Sequence, residues 1–317
     1  MDIEYLMLLQ NFRNSINDAW TPFMEWISLF AVTYLVLIPV FVYWVLDRKK
    51  GLYVLASYYT AVTVNAAIKL TVCCYRPWIR DDRILPAGDA ITTATGYSFP
   101  SGHTMTATPI YGGLAAIAWK RWKWVSILCI VLVLITGFSR NYLGVHTPQD
   151  VLVGLTVSVL LLFLMRRLFG WIEANPDKEN WMLLAGFLFG CAVIAYITFK
   201  PYPMDYVDGR LLVDPQKMMN DGYGDPAMLI AFCAARFVEK RWIRFRPAGL
   251  NARGIAISTV GLVGLWAMIC FMRGPLDAAL GAHWGHFLNS FIIVFYCIAL
   301  YPLVIRLFGG QRPADEL

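Results

Sequence analysis

Charge is scarce in this chain. Of its 317 residues only 15% are Asp, Glu, Lys or Arg, against 58% hydrophobic, where a soluble domain carries nearer a quarter charged. That deficit excludes a single soluble core and points to a polytopic helical membrane protein. C-x-x-C is absent too: the seven cysteines, at 73, 74, 129, 191, 233, 270 and 297, lie in or at the ends of apolar runs and read as packing residues rather than ligands or disulfides. Asp2, Glu4, Arg13, Asp18 and Glu25 interrupt the first 25 residues, so no cleavable signal peptide is read there. No internal repeat or inverted symmetry of the transporter kind is visible. The net charge of +6 is not gathered into one patch, which sets nucleic acid aside as a partner.

What is present is a series of long apolar runs. Nine spans are expected, at about 26–46, 52–73, 103–119, 124–142, 148–165, 181–199, 224–240, 254–272 and 284–305, all helical because backbone groups in lipid must be satisfied within the segment. The seventh has the shortest apolar centre, Ala227 to Ala235. Before them, Ile3, Leu6, Leu9, Phe12, Ile16 and Trp20 recur at three- and four-residue spacing, so 1–25 reads as an amphipathic interfacial segment. Sixteen of the 27 Lys and Arg residues, Arg312 among them, follow the odd-numbered spans, and nine fall on the other side. This bias makes the first side cytoplasmic, leaving the N-terminus extracytoplasmic and the C-terminus cytoplasmic. Eleven of the twelve tryptophans lie near span ends, all but Trp266, as interfacial anchoring requires.

Three polar clusters fall at the extracytoplasmic ends of spans two to five. Lys69 and Arg76-Pro77 form the first. Seven residues are close to two turns, so the two cations share a helix face about 10 Å apart along the axis, and two converging cations suit an anion. Pro100-Ser101-Gly102-His103 forms the second, entering a span from its N-terminus, where free N–H groups and the helix dipole favour phosphate; Gly102 allows close approach and His103 is placed to donate a proton. Ser139-Arg140 with His146 and Asp150 forms the third. Asp150, four residues beyond His146, can accept from its Nδ1 and leave Nε2 free as a nucleophile. Singly, each cluster also admits a plain reading: a snorkelling lysine with an interfacial arginine, a helix cap, a capped helix beside a polar histidine. Their coincidence on one side, with two of the chain's four histidines, argues for a phosphate site.

The strings Lys69-x6-Arg76-Pro77, Pro100-Ser101-Gly102-His103 and Ser139-Arg140-x5-His146-x3-Asp150 resemble, in order and at every signature position, the motifs of the type 2 phosphatidic acid phosphatase superfamily, which also contains vanadium haloperoxidases and glucose-6-phosphatases. The resemblance covers 69–150 by motif. It implies an all-α membrane bundle: a six-helix phosphatase core over 26–199, then an outer loop and about three further spans over 200–317, a stretch in which no motif is recognised. It also implies that His146 attacks phosphorus, Asp150 orients it, His103 protonates the leaving oxygen, and Lys69, Arg76, Ser101, Gly102 and Arg140 hold the phosphoryl oxygens. Fixed cations then do the work of a metal, so no metal or other cofactor is expected.

The substrate expected is a phosphorylated lipid or isoprenyl diphosphate, hydrolysed at the outer face of a bacterial inner membrane or in the endoplasmic reticulum, with membrane lipids around it and no protein partner required. The alternatives are a small soluble ester such as a sugar phosphate, a vanadate-dependent haloperoxidase, and a pure transporter. His283 and His286 read as interfacial polarity. The loop 200–225, with Asp205, Asp208, Asp214, Asp221 and Asp225, reads as a shaped cover near the pocket, and Arg80, Asp81, Asp82 and Arg83 as a solvated turn.

Overall fold

A computed structural model describes residues 2–94, 96–207 and 209–308. Asp208, Arg312 and the C-terminus lie outside them. The chain runs α1 (Asp2–Ser15), α2 (Thr21–Thr33), α3 (Leu37–Phe41), α4 (Arg48–Val72), α5 (Pro77–Arg80), α6 (Gly102–Ala118), α7 (Lys123–Tyr142), α8 (Pro148–Ala174), α9 (Glu179–Phe199), α10 (Pro215–Gly222), α11 (Gly224–Val238), α12 (Ala252–Phe271), α13 (Arg273–Leu280), α14 (Ala282–Phe295) and α15 (Tyr301–Phe308). Single π-helical turns extend α3 (Val42–Leu46) and α11 (Glu239–Ile243) and join α14 to α15 (Tyr296–Leu300).

Among the described residues six segments are long and apolar enough to cross a membrane: Arg48–Arg80, Lys123–Tyr142, Pro148–Ala174, Pro176–Phe199, Ala252–Phe271 and Ala282–Phe308. The protein is a multi-pass membrane helix bundle. The expected first span is a broken one: Thr21–Thr33 and Leu37–Leu46 meet at 43°. The break falls just before Pro39, which brings no N–H to the ladder and crowds the turn preceding it.

The two remaining expected spans, α6 and α11, are shorter, at 17 and 15 residues. Both are interior helices. In α11 Ala227, Leu229, Ile230, Ala231, Phe232, Cys233 and Ala235 are all buried, packed among α4, α9 and α14. A helix covered by neighbours needs small residues for close approach, so its hydropathy is lower than that of a lipid-facing span. The apolar core is shared by both parts of the chain: Val54, Leu55 and Ile110 pack in one cluster with Phe232, Val294 and Ile298.

The first helix is shorter than its apolar stripe predicts. Asn17 and Asp18 take positive φ (50° and 55°), so the chain turns at Ser15, and Ile16 and Trp20 fall beyond the helix. Leu8 and Phe12 face outward while Leu6 and Arg13 are buried. The polar face grips the segment between α5 and α6: Gln10 Nε2 donates to Arg83 O (3.1 Å), Leu85 N donates to Gln10 Oε1 (2.8 Å), and Arg13 donates to Leu85 O (2.7 Å) and Tyr142 O (3.1 Å).

At the opposite end of α4, Glu239 is fully buried, 3.1 Å from Arg48 of α4 and bonded to Arg236 of α11. Arg236 in turn lies 2.8 Å from Glu179 of α9. This cluster ties the C-terminal helices to the rest of the bundle. Removing one partner strands a buried charge, at a cost of about 3–5 kcal/mol. Glu239→Ala should therefore lower the thermal midpoint of the detergent-solubilised protein by several degrees, and Lys49→Ala, whose partner Glu173 is exposed, should not. Equal midpoints for the two variants would refute this account of the cluster.

Candidate active site

Helices α4 and α7 end, and α6 and α8 begin, on the same side of the bundle, so the three sequence clusters meet there. The α4 end is formed by Cys73, which takes left-handed φ 50° and bonds back to the Lys69 carbonyl. The start of α6 is capped by Ser101, whose Oγ accepts from Thr104 N. At α8, Thr147 and Asp150 form a reciprocal capping box behind Pro148, satisfying two of the amides that a helix start leaves open.

His146 is the centre of the arrangement, 1% exposed. Its Nδ1 lies 3.2 Å from Asp150 Oδ2, and its Nε2 lies 2.9 Å from Arg76 Nη1. Asp150 Oδ2 also accepts from Ser98 Oγ (2.5 Å) and Thr147 N (2.8 Å). These donors fix the carboxylate, the carboxylate fixes the imidazole with its proton on Nδ1, and the Nε2 lone pair points to Arg76. Burial, then the positive charges of Arg76, Arg140 and Lys69, push the His146 imidazole well below its ordinary pKa. A lowered pKa means that the neutral, nucleophilic form persists as pH falls.

Three cations and a second histidine surround it. Arg76 donates to Gly96 O and Val145 O, both at 2.9 Å. Arg140, fully buried, bonds Ser28 of α2; its Nε and Nη2 have no hydrogen-bond partner among the described residues, and neither has His103 Nε2. Buried donors are nearly always paired, so these nitrogens are set for an acceptor that the chain does not supply. Lys69 is used differently from the sequence expectation of an ammonium reaching toward Arg76. Its Nζ donates to the carbonyls of Tyr97 (3.0 Å), Ser98 (3.3 Å) and Pro100 (2.9 Å), and so holds the strand of chain that delivers Ser101, Gly102 and His103. Ser139 turns away, donating to Thr136 O at 2.7 Å.

Ser98, Asn65, Ser28 and Asn141 belong to the constellation without having stood out in the sequence. Asn141 donates to His146 O at 2.9 Å. Asn65 is buried with its Oδ1 unpaired, and its Nδ2 lies 3.6 Å from where a Cβ on Gly102 would sit. Polar residues inside apolar spans, one turn from a motif cation, are the signal that would have found Asn65. Nothing marked Ser98. Tyr75 OH donates to Asp205 Oδ2 at 2.6 Å, and Met218 packs where a side chain on Gly96 would lie, so the 200–225 loop covers the Arg76–Ser98 segment. His283 stacks edgewise on Tyr223 and His286 packs on Gly224. Arg83 pairs with Asp81 and, more loosely, with Glu4, and Arg80 pairs with Asp2. No group of three or more His, Cys, Asp or Glu able to hold a metal occurs among the described residues.

Residues 50–173 match the PAP2 superfamily, and the chain is 31% identical over 146 residues to phosphatidylglycerophosphatase B of Bacillus subtilis, covering 44% of this chain and 68% of that protein. The chain belongs to the PAP2 superfamily. Membership makes it a phosphatase, a hydrolase of phosphoric esters or diphosphates. Other PAP2 relatives include undecaprenyl-diphosphatase of Sulfolobus acidocaldarius, 29% identical over 37% of this chain and 54% of that one. Glucose-6-phosphatase catalytic subunit 1 of Mus musculus is 29% identical over 36% of each chain. No solved structure matches.

The geometry makes Ser98 a positioning residue for this PAP2 site. A hydrogen bond to a charged group contributes roughly 1.5–3 kcal/mol, so Ser98→Ala should lower kcat for phosphate release by roughly tenfold or more, with KM little changed and Ser98→Thr restoring most of the rate. An unchanged kcat in Ser98→Ala would remove Ser98 from the relay.

Proposed function

We propose that the protein hydrolyses a lipid phosphate or isoprenyl diphosphate at the extracytoplasmic face of a membrane, through a phosphohistidine on His146. The observation that carries this is the buried pairing of His146 Nδ1 with Asp150, which leaves Nε2 directed at Arg76 beside the unpaired nitrogens of Arg140 and His103. In the first step the Nε2 lone pair attacks phosphorus, Arg76 passing from that lone pair to a phosphoryl oxygen. The bond from phosphorus to the leaving oxygen breaks, and His103 gives that oxygen a proton. In the second, water attacks phosphorus, His103 takes the proton back, the P–N bond breaks and phosphate leaves. Arg76 and Arg140, with the Ser101 hydroxyl and the Gly102 amide at the start of α6, stabilise the charge on the equatorial oxygens. Lys69 acts on the same oxygens through the loop it holds.

A lipid is favoured over a soluble ester by position. The site lies among the ends of spans, and Phe12, Trp20, Phe23 and Trp26, at 44–59% exposed, give the helices beside it an apolar surface suited to a bilayer. Lipid substrates also agree with the names of the B. subtilis and S. acidocaldarius relatives. Phosphate release from lipid phosphates, isoprenyl diphosphates and sugar phosphates, compared in detergent, separates the readings; a preference for sugar phosphates would overturn the lipid one.

The division of labour between the histidines is testable. His146→Ala should abolish turnover and any ³²P trapped on the protein. His103→Ala should cost about 10²–10⁴-fold with an alkyl phosphate and much less with p-nitrophenyl phosphate, whose leaving group departs unprotonated. Equal losses with both esters would refute the acid role, and ³²P trapped on His146→Ala would refute the nucleophile.

Orientation has its own check, resting on the split of basic residues. An impermeant thiol reagent should label a cysteine introduced at Gln216 in intact cells, and should not label one introduced at Lys49. The reverse pattern would invert the topology.

A further inference from the structure

The C-terminal helices enclose a second space. A cavity of about 310 Å³ lies between α2, α4, α11, α12 and α14, within the range of small-molecule sites, roughly 300–1,000 Å³. One part of its wall is apolar, with Val36, Leu265 and Ile293; another is polar, with Arg273, His286 and Asn289. Asn289 is 8% exposed and its Oδ1 has no donor. His286 Nδ1 is likewise buried and unpaired. A neutral imidazole nitrogen is a donor or an acceptor according to its tautomer, and a hydroxyl can pair with either. Two buried polar atoms without a hydrogen-bond partner among the described residues therefore belong to the lining of one cavity, which also includes the hydroxyl-bearing Thr33, Tyr58, Tyr59 and Ser290.

We infer that this cavity binds a lipid alcohol, its hydroxyl donating to Asn289 Oδ1 and pairing through its oxygen with His286 Nδ1, and its chain lying along α2, α12 and α14. The walls are membrane helices, so the occupant is an amphiphile. An anionic head is disfavoured because Arg273, the cation of the lining, is already held by Asp221 (2.9 Å) and Asp277 (3.2 Å), and the unpaired Asn289 Oδ1 repels phosphoryl oxygens. A hydroxyl supplies the missing donor without bringing a charge into the bundle, where a charge is expensive. The site is distinct from the His146 cluster and does not depend on the function proposed for it. Ser28 of α2, one turn before Val32 of the cavity wall, carries the bond from Arg140, which puts the two sites on one helix.

The test uses the full chain in detergent and three photoactivatable probes with the same long chain and mid-chain diazirine, headed by a hydroxyl, a non-hydrolysable phosphonate or an amine. Adducts are mapped by peptide mass spectrometry, and phosphate release is measured separately. The alcohol probe should label α14 near Ile293 and α2 near Val36, at least fivefold above the other two. Labelling should fall about tenfold in Asn289→Leu and vanish in Ile293→Trp, which fills the cavity. Absence of adducts on these helices in the unaltered protein, as for a cavity holding water only, would overturn the inference. So would equal labelling by the phosphonate or amine probe, or undiminished labelling in both variants.

Discussion

An excess of buried positive charge governs this structure. Lys69, Arg76 and Arg140 lie at the ends of membrane helices within range of one another, and the carboxylate set among them, Asp150, is already committed to His146, Ser98 and Thr147. Like charges at low dielectric repel strongly, so the chain must spend other groups on them. It uses backbone carbonyls: those of Tyr97, Ser98 and Pro100 for Lys69, and those of Gly96 and Val145 for Arg76. Carbonyl dipoles hold a cation in place without cancelling its charge. The residual field falls on the space beside His146, where the proposed reading puts the phosphoryl group.

The same economy explains the irregular segment between α5 and α6. Its carbonyls must converge on two cations, which no helix allows, so neighbouring elements have to hold and cover it. Three elements do so here. The first helix holds Arg83 and Leu85 from one side through Gln10 and Arg13. Met218 of α10 packs over Gly96, whose φ of 69° and lack of a Cβ the contact requires. The buried side of α4 supplies Asn65 and Lys69. The N-terminal segment and the 200–225 loop, neither of which carries a motif, are thereby parts of the site's frame.

The legibility of the sequence followed from how local each feature is. Apolar runs and the caps at Ser101 and Thr147 depend on neighbours within four residues, so the bundle and the start of each motif helix could be read directly. The pairing of His146 with Asp150 is an i, i+4 contact and was legible for the same reason. Lys69 was legible as a buried cation, but its partners lie about thirty residues away, and spacing along one helix suggested Arg76 instead. Ser98 was invisible because a serine in a loop has no pattern until the fold brings Asp150 to it. The break before Pro39 shows the converse: a local cause was present, and the apolar run on both sides masked it.

Rigidity of this frame bears on the chemistry more than any single contact does. Nucleophilic attack gains from a reacting pair held at the right distance and angle, and small displacements forfeit much of the gain. Here His146, the proposed nucleophile, is fixed by Asp150 at the start of α8, His103, the proposed acid, by the Ser101 cap at the start of α6, and the cations by the ends of α4 and α7. Ser101 N donates to Asp150 O at 3.0 Å, so the cap that places His103 is bonded to the residue that places His146. The two histidines thus share one backbone junction, which couples the start of α6 to the start of α8.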